Sequence, residues 1–83
     1  MQMQLPMSQW TNLGPGPLVL SAEVELFQWT VGTEPPDPPG VDPTNLGNFV
    51  IPGQGSQTVT TNGSQNIYVA PRRPGATVNY STP

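Results

Sequence analysis

Apolar residues recur at alternate positions in short runs along this chain, and Pro or Gly closes most of the runs. The runs predict strands over Leu18–Ser21, Glu23–Val31, Phe49–Pro52, Gln57–Thr61, Ser64–Ala70 and Ala76–Ser81. The second run is irregular. Glu23, Glu25, Phe27, Trp29 and Val31 fall on one face, and Val24, Leu26, Gln28 and Thr30 on the other. The apolar side therefore switches near Leu26–Phe27. Either a bulge or burial of both faces at a subunit contact produces such a switch. The second account makes Phe27 and Trp29 contact residues. No amphipathic helix of useful length is found.

The breaks between runs carry their own signals. Asn62-Gly63 separates two β-rich runs, the pattern of a two-residue hairpin with φ > 0 at both central positions. Across that hairpin Val59 shares a face with Ile67 or Val69. Gly14-Pro15-Gly16-Pro17 is a breaker cluster. Gly32–Asn48 is a long Pro-rich loop, and its prolines favour polyproline II.

Residues 1–16 have no clear periodicity, and residues 1–9 read as an extended arm or as a disordered tail. The arm is rich in Met, Leu and Pro for a solvated segment. As an arm it would place Met3, Leu5 and Met7 in a groove on a neighbouring subunit. Residues 10–83 then form a single β domain, with the Pro-rich loop at 32–48. Short strands separated by Pro/Gly turns indicate an all-β fold, a small sandwich or barrel of about six strands.

Composition narrows the chemistry. The chain has no His and no Cys, and its basic residues are Arg72 and Arg73 alone. A Ser-His-Asp or Cys-His set is impossible, and so are disulfides and thiolate or His metal sites. Small cores usually need such staples or oligomerisation, which leaves oligomerisation or docking on a larger partner. A carboxylate pair would have to come from Glu23, Glu25, Glu34, Asp37 and Asp42. Glu23 and Glu25 read more simply as a solvated strand face. Asp37 and Asp42 do not have the spacing of an EF-hand. The expectation is a chain with no catalytic site, cofactor or metal.

Two arginines do not make the basic footprint of a nucleic-acid binder. No apolar run approaches the ~20 residues of a membrane span, and the N-terminus lacks the pattern of a signal peptide. Trp10, Trp29, Tyr68 and Tyr80 are either core and interface anchors or a platform for stacking on sugar. Arg72 and Arg73 sit between Pro71 and Pro74, where they serve either solubility or contact with an acidic partner.

The C-terminal stretch Ser64-Gln-Asn-Ile-Tyr-Val-Ala-Pro-Arg-Arg-Pro-Gly-Ala-Thr-Val-Asn79 resembles the ending of small virion proteins of tailed bacteriophages. Their "apolar-Tyr-apolar-Ala … Gly-Ala-Thr-Val" hairpin follows a "Gly-Ser-x-Thr-Val-Thr" strand, here Gly55–Thr60. Glu25–Pro36 is similar to their central strand with its "Val-Gly-x-x-x-Pro" loop, and Trp10–Leu13 to their opening. The Pro-rich loop and the Met/Gln arm depart from that pattern. The resemblance implies a capsid decoration (cement) protein, often trimeric, bound to the major capsid protein on the outer surface of the head. It would be assembled in the host cytoplasm, and no catalytic residues carry over. A head-fibre base, a tail adaptor and a carbohydrate-binding module remain open as alternatives.

Overall fold

Period-two alternation gives each strand one apolar face, and here two sheets turn those faces towards each other. The computed structural model describes residues 1–35 and 48–83. Among them lie β1 (Gln2–Gln4), β2 (Thr11–Gly14), β3 (Leu18–Ala22), β4 (Phe27–Gly32), β5 (Phe49–Val50), β6 (Gln57–Val59), β7 (Asn66–Pro71) and β8 (Thr77–Ser81). One antiparallel sheet has the order β1-β8-β3-β6 and the other β2-β7-β4-β5. The all-β expectation holds, with two strands more than the six the sequence indicated.

The core lies between the sheets. Leu18 and Leu20 of β3, Val59 of β6 and Val78 of β8 come from one side. Phe27 of β4, Val50 of β5, and Ile67 and Val69 of β7 come from the other. Trp29, Val31 and Tyr80 pack around this cluster. Phe27 is completely buried, and so are Leu20, Ile67, Val50, Val69 and Val78.

Several expectations need correction. The run Glu23–Val31 is not one strand: residues 23–25 form a bend, and β4 begins at Phe27. The apparent switch of face is the start of the strand, so neither a bulge nor two-sided burial is needed. From Phe27 onward the alternation is regular, with Phe27, Trp29 and Val31 on the core side.

The hairpin at Asn62-Gly63 does not form. β6 pairs with β3, and β7 pairs with β2 and β4. The chain between them crosses from one sheet to the other, so Val59 and Ile67 meet across the core rather than along a hairpin. The crossing is a tight turn centred one residue later. Gln65 N–H donates to the Asn62 carbonyl (3.1 Å), and Asn62 N–H donates to Gln65 Oε1 (2.9 Å). Gly63 is not among the positive-φ glycines. The "apolar-Tyr-apolar-Ala … Gly-Ala-Thr-Val" segment is no hairpin either, since β7 and β8 belong to different sheets.

Residues 1–9 are not a free arm. Gln2, Met3 and Gln4 pair with Asn79, Val78 and Thr77 of β8. Leu5 is only 3% exposed and belongs to the chain's own core, with Met3 packed against it. Met3 and Leu5 therefore pack on the chain's own core, whereas the arm reading places them in a neighbour's groove. Most of the Pro-rich loop, with Asp37 and Asp42, lies outside the described residues.

Two glycines should respond in opposite ways to alanine. A Cβ on Gly16 would lie 2.8 Å from the Val59 carbonyl oxygen and 3.2 Å from Ile67 Cδ1. A Cβ on Gly63 would meet nothing within 4 Å. Gly16→Ala should lower stability by about 1–3 kcal/mol through overpacking. Gly63→Ala should stay within about 0.5 kcal/mol of the parent. Urea denaturation of the two variants beside the parent checks this.

Candidate functional site

Sheet alternation that sends Leu18, Leu20, Val59 and Val78 inward sends their neighbours outward. The outer face of the β1-β8-β3-β6 sheet is therefore built from residues between the core positions. Gln2 lies opposite Asn79, which lies opposite Ser21. Gln4 lies opposite Thr77, and Val19 lies between Thr58 and Ser81. The face carries amides and hydroxyls with one valine and no ionisable side chain. Glu23 stands at its rim, where its carboxylate accepts a hydrogen bond from the Gln2 amide. Such a surface offers hydrogen bonds in both directions without the large desolvation cost of a charge.

The outer face of the other sheet is covered along β7, while Asn12 at its β2 side is exposed. Tyr68 and Ala70 alternate with core residues Ile67 and Val69, so they point outward, yet Tyr68 is only 4% exposed and Ala70 is fully buried. Gln28, opposite Ala70, has a buried amide nitrogen without a hydrogen-bond partner.

A polar seam joins the two sheets at their β6 and β5 edges. The Trp29 indole N–H donates to Gln57 Oε1 (3.2 Å), and Gln57 Nε2 donates to the Phe49 carbonyl (2.6 Å). One amide on β6 thereby holds a side chain of β4 and a backbone carbonyl of β5. Near this seam Gly16 N–H donates to the Thr61 hydroxyl (2.8 Å).

The residues expected to contact a partner scatter. Phe27 is in the core, and Trp29 is half-buried and bonded within the seam. Leu5 is in the core and Met3 is half-buried against it, while Met7 is 44% exposed. The Arg72 guanidinium lies 5.4 Å from the centre of the Phe49 ring, a cation–π contact within the chain. Arg73 is exposed, with one guanidinium nitrogen 3.8 Å from a Glu25 carboxylate oxygen. An exposed pair at that distance contributes at most about 1 kcal/mol.

No constellation of carboxylates assembles among the described residues. Glu23 and Glu25 lie in the bend after β3 and engage different partners, Gln2 and Arg73. The four aromatic residues weighed as a sugar platform do not form one. Trp10, Trp29 and Tyr80 are half-buried, Tyr68 is buried, and Trp29 and Tyr80 pack against the core. What sequence reasoning missed is the face made by Gln2, Gln4, Ser21, Thr58, Thr77 and Asn79. Its signal was present: the polar half of each alternation is filled by Gln, Asn, Ser and Thr, where Lys and Glu are common.

Comparison with known proteins adds no relative: no family model, curated protein or solved structure matches this chain.

The seam makes a direct prediction. Gln57→Leu keeps similar bulk but leaves the Trp29 N–H and the Phe49 carbonyl without their partner. Unfolding stability should fall by about 1–3 kcal/mol. Urea titration followed by tryptophan fluorescence reads the loss, and an unchanged midpoint would show that the seam is not structurally important.

Proposed function

We propose that this chain is a non-enzymatic structural protein of a phage virion, one that decorates the outside of the head and stabilises it. The observation that carries the proposal is the open, uncharged sheet face bearing Gln2, Gln4, Ser21, Thr58, Thr77 and Asn79. A protein that coats a shell needs a surface that seats on another protein with little desolvation cost, and amides and hydroxyls meet that need. Each seat can be weak, because repetition over the shell multiplies the effect. The sequence patterns at Gly55–Thr60 and Ser64–Asn79, which resemble virion proteins, support the same reading. The partner is then the major capsid protein, contacted by many copies of this chain.

Two measurements test the proposal. Purified particles should carry copies on the order of hundreds, the number that repetition over a shell requires. A dozen or so would instead favour a fibre base or tail adaptor. A Ser21→Asp, Asn79→Asp double variant puts two adjacent negative charges on the face without touching the core. It should still fold, melting slightly below the parent because like charges then stand opposite each other across β3 and β8. It should lose retention on shells at least about tenfold, since an uncompensated charge is costly to desolvate. Full retention by a folded double variant would remove this face from the reading.

A further inference from the structure

The edge of the β1-β8-β3-β6 sheet is open along β1, and its sequence is symmetric. Met1 N donates to the Tyr80 carbonyl (2.6 Å), and Tyr80 N–H donates to the Met1 carbonyl (2.8 Å). Leu5 N–H donates to the Ala76 carbonyl (2.9 Å). Antiparallel ladders bond alternate residues, so the backbone groups of Met1, Met3 and Leu5 face β8. Those of Gln2 and Gln4 face away from it. Among the described residues no strand pairs with that side of β1.

Sheet edges are usually guarded by charge, proline, a bulge or extreme shortness. β2 has a register shift between Asn12 and Gly14 and runs into Pro15. β5 has two residues. β1 and β6, the two edges of the other sheet, have three residues each with no charged side chain, no proline and no bulge; β1 adds the Met1 ammonium, which is bonded to Tyr80. Two of the large apolar side chains left exposed flank β1: Met1 at 78% and Met7 at 44%.

We propose that β1 is a self-association edge that pairs antiparallel with β1 of a second copy of this chain, on a twofold axis through Met3. The segment Met1-Gln2-Met3-Gln4-Leu5 has the same pattern in both directions: apolar, amide, apolar, amide, apolar. About that axis Gln2 lies opposite Gln4 of the second copy, and the two exchange N–H and C=O bonds with the groups that face away from β8. Amide side chains then stand beside amide side chains. Met1 lies opposite Leu5 of the second copy, beside the shallow depression lined by Gln4, Leu5, Pro6, Met7, Pro74 and Gly75. The contact is isologous, so each exposed Met1 is covered at the same time.

A foreign strand could use the same edge, but only a second copy makes use of the palindromic pattern. The axis runs perpendicular to the sheet, so both uncharged outer faces point the same way. The symmetry is twofold, whereas the resemblance to decoration proteins implies a trimer. The inference goes beyond the virion reading and does not depend on it, since it concerns the isolated chain.

The test is sedimentation equilibrium on the full chain and two double variants, all without shells. Gln2→Lys with Gln4→Lys places like charges opposite each other across the axis. Gln2→Lys with Gln4→Glu places opposite charges there, with the same Lys beside Glu23. The parent should dimerise, the Lys/Lys variant should dimerise at least about tenfold more weakly, and the Lys/Glu variant should match or exceed the parent. Hydrogen exchange on the parent gives an independent reading: the Gln2 and Gln4 amides should become protected as concentration rises. A parent that stays monomeric at all concentrations overturns the proposal. So do variants that all associate equally, or Gln2 and Gln4 amides whose exchange ignores concentration.

Discussion

Burial of two apolar sheet faces against each other is the constraint from which the other features follow. With no disulfide available, the cluster around Phe27, Leu20, Ile67 and Val78 has to hold both sheets together. Each sheet has one apolar face, which leaves water only by packing against the other. The strands therefore distribute themselves so that each sheet receives buried residues from early and late parts of the chain. Leu5 contributes from the beginning and Val78 from near the end. The Gln57 seam is the polar complement of that packing. It closes the β5–β6 side of the sandwich, where two edge strands would otherwise leave a gap between the sheets.

Much of this arrangement could be read from the residues, and the failures have physical causes. Alternation marked Leu18–Ser21, Gln57–Thr61, Ser64–Ala70 and Ala76–Ser81 because their apolar positions pack inward at every second residue. Local rules could not say which strands pair. Asn62-Gly63 looks like a hairpin turn because Asn and Gly tolerate positive φ, but the Gln65 side chain closes a different turn. The demand that Val59 and Ile67 come from opposite sheets decides the outcome. At the N-terminus no periodicity stands out over residues 1–16, yet Met3 and Leu5 pack on the chain's own core. A strand whose partner lies more than seventy positions along the chain is invisible to any reading of neighbours. β2 escaped because its register shift at Asn12–Gly14 and the prolines after it break the alternation.

The scarcity of charge shapes the surface as well as the chemistry. Four of the five charged side chains described meet groups of their own chain: Glu23 meets Gln2, Glu25 meets Arg73, and Arg72 meets the ring of Phe49. The sheet face that remains open is made of groups that are neutral at every ordinary pH. The candidate site was hard to see for that reason. Sequence reading looks for acids, bases and aromatics, and this face is composed of the residues usually passed over as filler. The arginines drew attention because they are the only cationic side chains, yet both meet groups of their own chain.

The strand order has a kinetic consequence. Among the described residues only β4 and β5 are both consecutive in sequence and paired; every other ladder described joins strands separated by at least one further strand. Almost nothing in the sandwich can be stabilised by a local contact before distant segments have met. Loop-closure entropy must be met first, which places the chain among the slow two-state folders, with times of about milliseconds to seconds despite its size. During synthesis on the ribosome β8 emerges after β1 and β3, and both pair with it. The nascent chain therefore holds β1 without that partner while more than seventy further residues are made.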